Sequence, residues 1–150
     1  MKGGGKMADR MELGNDKYLE LFKKNLNQDE KYMNLAASVN DSYTLVLQAE
    51  PDKGVGENMV VGFEIKEGRM TDIWTGERET SFILSAPYRV WVDILLGKIS
   101  ANRAFITRKL KIKGNMPRLL KTAKATDRLV EILREMPTEF HGEYSVYSFG

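Results

Sequence analysis

Residues 82–115 read FILSAPYRVWVDILLGKISANRAFITRKLKIKGN, and this stretch decides the fold. It starts within a predicted strand at residues 80–85. Ser85 then caps a predicted helix with Pro87 in its first turn, where a helix leaves the amide position unpaired anyway. Apolar residues at helical spacing continue to about Leu96, and Gly97 ends the helix. The side chains of residues 104–113 alternate between a mainly apolar face and a basic face, and this alternation predicts a last strand.

The segments on either side complete an α+β pattern. Three earlier strands are predicted where β-forming residues lie between turn residues, at 43–49, 59–65 and 70–75. Together with the strand at 80–85 they are expected to form an antiparallel meander, in which Lys66-Glu67-Gly68-Arg69 is predicted to be a hairpin turn. The predicted fold is a mainly antiparallel sheet of about five strands covered by helices.

Helices are predicted before and after the sheet because apolar residues recur there at helical spacing. The opening segment, 16–37, is expected to be one bent helix or two short ones, capped by Asn15 or Asp16 and by Asp29. The closing helix is expected at 116–135, with Asn115 as its cap and Leu119, Leu120 and Leu133 among its inward residues. The predicted organisation is a leader at 1–15, one domain at 16–136 and a tail at 137–150.

Composition restricts the chemistry that this chain can perform. Its 150 residues contain no cysteine, which excludes disulfides, thiolate nucleophiles and cysteine-ligated metal sites. The one histidine, His141, has no neighbouring ligand spacing, so we expect it to be solvated and predict no metal site. The longest apolar run, 90–99, is too short to span a bilayer. We therefore predict a cytoplasmic protein.

Four segments resemble the sterol carrier protein type-two domain, a family of lipid-transfer proteins. They are Phe82-Ile83-Leu84-Ser85, the run from Trp91 to Ile99, Ala104-Phe105-Ile106, and the run from Lys109 to Asn115. The resemblance covers about residues 16–136 and implies an apolar tunnel between sheet and helices. That tunnel would take fatty acids, acyl-CoA, sterols or isoprenoids, without enzymatic activity, catalytic residues or a cofactor.

Because the resemblance implies a tunnel, seven apolar residues become candidates for ligand binding. These candidates are Phe82, Leu84, Trp91, Ile94, Leu95, Phe105 and Ile106. Judged from the residues alone, a solid core is the favoured interpretation of the same set.

Arg108 is the eighth candidate, and it departs from the family, whose members often carry glycine there. In a strand from 104 to 113 it shares a face with Ile106 and Leu110, which would turn its guanidinium inward. A bulge could turn it outward, an acid such as Asp93, Asp72 or Glu64 could neutralise it, or it could bind the carboxylate of a fatty acid.

The chain is unevenly charged although its formal net charge is only +2. Lys109, Lys111 and Lys113 would form one basic strand face, and such a face could contact an anionic membrane. Exposed aromatic residues are sparse beside it, so nucleic-acid binding is not predicted.

Two further hypotheses belong to other functional classes. The first is an enzyme acting on a lipid-like substrate with Asp72 or Asp93 as the base, although no recognised motif accompanies these carboxylates. The second is an accessory subunit, or a homodimer that closes an apolar groove.

Overall fold

A computed structural model describes residues 10–150. The part of the predicted leader before Arg10 lies outside the described residues. Seven strands and six α-helices are assigned within the described part. The strands are β1 (Met11–Glu12), β2 (Asn40–Gln48), β3 (Met59–Lys66), β4 (Arg69–Thr75), β5 (Phe82–Pro87), β6 (Lys111–Lys113) and β7 (Thr138–Glu139). The helices are α1 (Asp16–Asn27), α2 (Glu30–Leu35), α3 (Tyr88–Leu95), α4 (Ala101–Ile106), α5 (Met116–Lys121) and α6 (Ala123–Arg134).

The main sheet has five strands in the order β4-β3-β2-β5-β6, which confirms the predicted α+β class. Strands β2, β3 and β4 form an antiparallel meander, and β6 pairs antiparallel with β5. The prediction that β5 continues the meander is wrong, because β5 lies on the other side of β2 and runs parallel to it. The connection from β4 reaches that position across the face of the sheet opposite the helices, where the Thr80 hydroxyl lies 2.8 Å from the Thr44 hydroxyl.

The predicted hairpin between β3 and β4 is present and has a two-residue turn. Glu67 and Gly68 both have positive φ angles, 49° and 79°, as this tight hairpin requires. A Cβ atom on Gly68 would lie 2.8 Å from the Met33 carbonyl oxygen. Glycine at this position therefore lets the hairpin pack closely against α2.

The predicted helix caps at Asn15, Asp29 and Asn115 are confirmed. Their side chains accept hydrogen bonds from the backbone of Tyr18, Tyr32 and Arg118, at 2.9, 2.8 and 3.0 Å. The predicted cap at Ser85 is wrong, because β5 extends through Pro87 and α3 begins at Tyr88. The predicted closing helix is divided at Thr122 into α5 and α6.

The predicted ten-residue strand at 104–113 is also wrong. Its first part is α4, which begins because the Ser100 hydroxyl accepts a hydrogen bond from the Arg103 backbone at 3.0 Å. The chain then reverses at Arg108, whose φ is 64°, and only the short β6 joins the sheet. Within α4 the buried residues are the neighbours Ala104 and Phe105, a pattern that fits a helix and not the alternation of a strand.

Both ends of the described chain pack against the same core. Strand β1 pairs in parallel with β7 in a separate two-stranded sheet. The C-terminal segment buries Phe140 and Tyr144, which are 2% and 7% exposed. His141 is not the solvated side chain that we expected, because it contacts Tyr88 and Glu12.

Candidate functional site: an apolar cavity between sheet and helices

A cavity of about 150 Å³ lies between the helix-covered face of the sheet and the helices. All six helices and strands β2 to β6 contribute residues to its lining. The sheet side includes Tyr43, Leu45, Leu47, Val61, Phe63, Ile73, Leu84 and Ile112. The helix side includes Leu19, Phe22, Trp91, Ile94, Leu95, Phe105, Leu119, Leu129 and Leu133.

Strand and helix periodicity explain how such distant residues converge. Tyr43, Leu45 and Leu47 alternate along β2 and therefore point to one face. From the cap of α6 onward, the lining residues Thr122, Thr126, Leu129 and Leu133 recur at helical spacing. The cavity is therefore the space that these two apolar surfaces leave between them.

The one polar atom of the Trp91 side chain is hydrogen-bonded at the cavity wall. The indole Nε1 donates to the carbonyl oxygens of Val46 and Ala86, at 3.1 and 3.2 Å. Because no donor remains unpaired, the indole ring contributes to the lining as an apolar surface.

The lining has a short polar segment where α4 meets α6. Asn102 Nδ2 donates to the Ala123 carbonyl at 3.3 Å and to Asp127 Oδ1 at 2.9 Å. The hydroxyls of Thr122 and Thr126 donate to the carbonyls of Leu119 and Thr122, at 2.8 and 3.2 Å. These donors are engaged, whereas the Asn102 amide oxygen and the threonine lone pairs can accept further hydrogen bonds.

Three tyrosines are the ionisable residues of the lining, and burial keeps them neutral. Desolvation raises the pKa of Tyr18 to about 12 and also raises the pKa of Tyr32 and Tyr43 above the ordinary phenol value. Among the described residues that line the cavity, none is Asp, Glu, Lys, Arg or His. The lining is therefore uncharged at neutral pH.

Five of the eight sequence candidates line this cavity, namely Leu84, Trp91, Ile94, Leu95 and Phe105. The other three candidates lie elsewhere. Phe82 is buried at 1% exposure and stacks on Tyr43 with ring centroids 5.5 Å apart. Ile106 is 69% exposed, because the helix that replaces the predicted strand turns it outward.

Arg108 does not point inward, so the inward orientation expected from a strand is wrong. It occupies an exposed left-handed turn between α4 and β6, outside the cavity lining. Of the three alternatives, outward orientation is the one observed, although a helix end and not a bulge causes it. A carboxylate in the cavity would not meet this side chain.

Some lining residues escaped sequence reasoning, and only Lys111 and Lys113 of the expected basic strand face lie on a strand. Leu19, Phe22 and Leu45 line the cavity, and only their helical or alternating spacing could have suggested it. Lys109 lies in the turn before β6, while Lys111 and Lys113 flank the cavity-lining Ile112 and point to the opposite face of the sheet.

The carboxylates considered as bases lie outside the cavity. Asp72 Oδ2 lies 3.0 Å from Arg78 Nη1 on the face of the sheet opposite the helices. Asp93 Oδ2 lies 4.0 Å from Arg89 Nε. Within residues 10–150, no cluster of His, Cys, Asp and Glu could hold a metal ion. In the same part of the chain, no helix combines the length and apolar character needed to cross a membrane.

Comparisons with known proteins agree with this architecture. A crystal structure of sterol carrier protein 2 is 24% identical, with a TM-score of 0.76 over 83% of this chain and 98% of that chain. A conserved hypothetical protein from Thermus thermophilus is 26% identical, with a TM-score of 0.76 over 83% and 90%. A palmitated SCP2L2 from Aedes aegypti shares the fold at 11% identity, with a TM-score of 0.56 over 76% and 95%.

No curated protein matches the sequence. The model of the SCP-2 sterol transfer family, in contrast, matches residues 19–127. That match spans most of the chain and includes β2 to β6, α2 to α5, and parts of α1 and α6. The chain therefore belongs to the SCP-2 sterol transfer family.

Proposed function

We propose that this protein binds one neutral apolar lipid in the cavity and carries it between membranes without chemical change. The observation that supports this most directly is a lining that is uncharged throughout and mostly apolar, with a short polar segment where α4 meets α6. Removing a lipid chain from water into such a lining yields about 25 cal/mol per Å² of buried surface. The family implies lipid binding or transfer, and the cavity indicates where the lipid would lie.

The uncharged lining favours a neutral lipid over an ionised fatty acid. A carboxylate moved into an apolar site without a counter-charge loses its hydration, and no lining residue carries a positive charge. A lipid hydroxyl, in contrast, can donate to the free Asn102 oxygen. Long-chain alcohols, sterols and isoprenoid alcohols therefore fit the lining better than carboxylates do.

The cavity must enlarge to hold a complete lipid chain. Its volume of about 150 Å³ equals that of an engineered protein cavity that admits benzene. Further space has to come from lining side chains that change rotamer. The half-buried Met59, which lines the cavity, is suited to this because its unbranched thioether side chain adapts to irregular space.

The test compares hexadecanol with palmitate, two ligands of equal chain length. Displacement of a fluorescent lipid probe from the full chain gives both affinities, and native mass spectrometry gives the stoichiometry. We expect one hexadecanol per chain and weaker binding of palmitate, with the difference decreasing as the pH is lowered and the acid becomes neutral. Equal affinities at neutral and alkaline pH would contradict the preference for neutral lipids.

A matched pair of variants locates the binding site. Ala125 lines the cavity and is 4% exposed, so Ala125→Leu should fill the space and abolish probe uptake. Ala37 is exposed in the turn after α2, and Ala37→Leu should bind as the unchanged protein does. Unimpaired uptake by a folded Ala125→Leu variant would place the lipid elsewhere and refute the proposal.

A further inference from the structure

The polar segment of the cavity lining, formed by Asn102, Thr122 and Thr126, presents hydrogen-bond acceptors to the cavity. Asn102 Nδ2 carries two hydrogen atoms, and its bonds to the Ala123 carbonyl at 3.3 Å and to Asp127 Oδ1 at 2.9 Å use both of them. The hydroxyl hydrogens of Thr122 and Thr126 are directed to backbone carbonyls, at 2.8 and 3.2 Å. What this segment leaves for a ligand is therefore a set of oxygen lone pairs.

The orientation of the Asn102 amide follows from the chemistry of its two partners. A backbone carbonyl and a carboxylate both accept hydrogen bonds, so they face the NH2 group and not the amide oxygen. Asn102 lies on α4 and is half-buried at the cavity, whereas Asp127 lies on α6 and is exposed. Asp127 therefore holds the amide so that Oδ1 is the atom left to accept a hydrogen bond from a ligand.

The polar segment lies near the protein surface. Asn102, Thr122 and Thr126 are half-buried. Leu120, which we expected to point inward, is 45% exposed, and Asp127 is exposed as well. Three apolar lining side chains of α1 and the main sheet are at most 5% exposed, namely Phe22, Leu47 and Phe63. A bound lipid would therefore have its polar end near the surface and its hydrocarbon against this buried side.

We infer that the cavity selects lipids whose polar end is a free hydroxyl, with Asn102 as the specificity-determining residue and Asp127 as its positioning residue. This inference rests on the proposed function and narrows the lipid class to unesterified alcohols, whose hydroxyl donates to Asn102 Oδ1. An ester, an ether or an aldehyde offers only lone pairs, so it would place one oxygen atom against another at this segment. Its polar end would lose water without gaining a hydrogen bond.

Asn102 is a better source of this selection than the hydroxyl groups of the lining. A tyrosine hydroxyl both donates and accepts, so Tyr18, Tyr32 and Tyr43 can pair with an alcohol or with an ether. Among the acceptors of the polar segment, the amide oxygen is the strongest, because amide resonance places partial negative charge on it. A preference for a hydrogen-bond donor therefore depends mainly on Asn102.

The first experiment compares heptadecanol with its isomer hexadecyl methyl ether on the full chain. The two molecules contain the same atoms and have nearly the same length, but only the alcohol can donate a hydrogen bond. Displacement of a fluorescent lipid probe gives both affinities. A purely apolar cavity would favour the ether, because an ether leaves water more readily than an alcohol does. We expect tighter binding of the alcohol, and equal affinities or tighter binding of the ether would overturn the inference.

The variant Asn102→Leu removes the acceptor and keeps a side chain of similar size. The ratio of alcohol affinity to ether affinity should fall by about two- to tenfold, the usual range for one neutral hydrogen bond. The matched control is Asn34→Leu, at an exposed position in α2, and it should leave the ratio unchanged. Thermal unfolding should confirm that both variants fold. A ratio that is the same in Asn102→Leu and in the unchanged protein would overturn the inference.

The variants of Asp127, which is exposed, test its positioning role. Asp127→Ala should free the amide to turn, so that Nδ2 donates to the ether oxygen and the ether binds more tightly than before. A merely structural loss would not increase that affinity. Asp127→Asn keeps an acceptor oxygen and should restore the preference for the alcohol. Glu135→Ala removes another exposed acid, at the end of α6, and should have no effect. An unchanged ratio in Asp127→Ala would overturn the role assigned to Asp127.

The same titrations separate this inference from the proposed function. If neither isomer displaces the probe, the proposed function fails and the inference fails with it. If both isomers bind and Asn102→Leu does not change their ratio, the carrier proposal stands and the selection of a free hydroxyl alone is wrong. If the alcohol is preferred and the preference is lost in Asn102→Leu but kept in Asn34→Leu, both ideas hold.

Discussion

The hydroxyl of Tyr88 lies 2.7 Å from Nδ1 of His141 and accepts a hydrogen bond from the His141 backbone N–H at 2.9 Å. His141 Nε2 in turn lies 3.2 Å from a carboxylate oxygen of Glu12. One phenol at the start of α3 therefore connects the C-terminal segment to the core, and the imidazole connects that segment to β1.

We expect Tyr88→Phe to destabilise the protein by about 1–3 kcal/mol, because it leaves the His141 amide without its buried acceptor. Urea unfolding followed by tryptophan fluorescence measures this change. Tyr147→Phe is the control, since that ring is 47% exposed. An unchanged midpoint for Tyr88→Phe would show that the C-terminal segment is held by apolar packing alone.

The ion pair between Arg128 and Asp29 should make stability depend on pH in the acid range. Arg128 Nη2 and Nε donate to the two Asp29 oxygens at 2.6 and 2.9 Å, joining α6 to the cap of α2. The hydrogen bonds from Arg128 hold the pKa of Asp29 below its usual value. Since the folded-state pKa is the lower one, this stabilisation is present above the unfolded value of about 3.9 and is lost as pH falls through the folded-state pKa.

Arg128→Met should therefore cost about 1–3 kcal/mol at neutral pH, as expected for hydrogen bonds to a charged group. Below the folded-state pKa of Asp29 the difference from the unchanged protein should become small. Urea unfolding across the acid range measures both values, with the exposed Lys124→Met as the control. A difference that is the same at every pH would contradict a contribution from the ion pair.

Arg108 is strained by its left-handed backbone conformation, and glycine should relieve the strain. Its φ is 64°, a region in which a Cβ atom crowds the following carbonyl. We expect Arg108→Gly to raise the free energy of unfolding by about 1 kcal/mol. Arg108→Ala removes the same charge but keeps the Cβ atom, so it should give no such gain. Equal stability of the two variants would refute the backbone explanation.

The residues that sequence reasoning located correctly are those governed by local rules. The caps at Asn15, Asp29 and Asn115 and the hairpin at Glu67-Gly68 depend on a few neighbouring side chains and on backbone geometry. Five of the eight candidate residues line the cavity because they lie on the inward sides of β5, α3 and α4.

The errors come from segments in which two local patterns compete or the decisive partner is distant. Ala104 and Phe105 fit a strand as well as a helix, and the Ser100 cap decides for the helix. The misplacement of Ile106 and Arg108 follows directly from that choice. The parallel pairing of β2 with β5 and the pairing of β1 with β7 join segments far apart in sequence, which no local pattern specifies.

Phe82 and Leu84 lie on the same face of β5, yet they should have different effects when changed. Leu84 lines the cavity, whereas Phe82 packs against Tyr43 and against Gly114, where a Cβ atom would lie 2.5 Å from the Phe82 ring. Phe82→Leu should cost about 1–2 kcal/mol through lost packing and leave lipid affinity unchanged.

Leu84→Ala should enlarge the cavity and shift its preference toward bulkier lipids, in addition to destabilising the protein by about 2–5 kcal/mol. Urea unfolding and displacement titrations with a straight-chain alcohol and a sterol measure the two effects on each variant. If Phe82→Leu changed the relative affinity for the two lipids as much as Leu84→Ala did, the cavity would extend to Phe82. The site would then include Phe82 as well as Leu84.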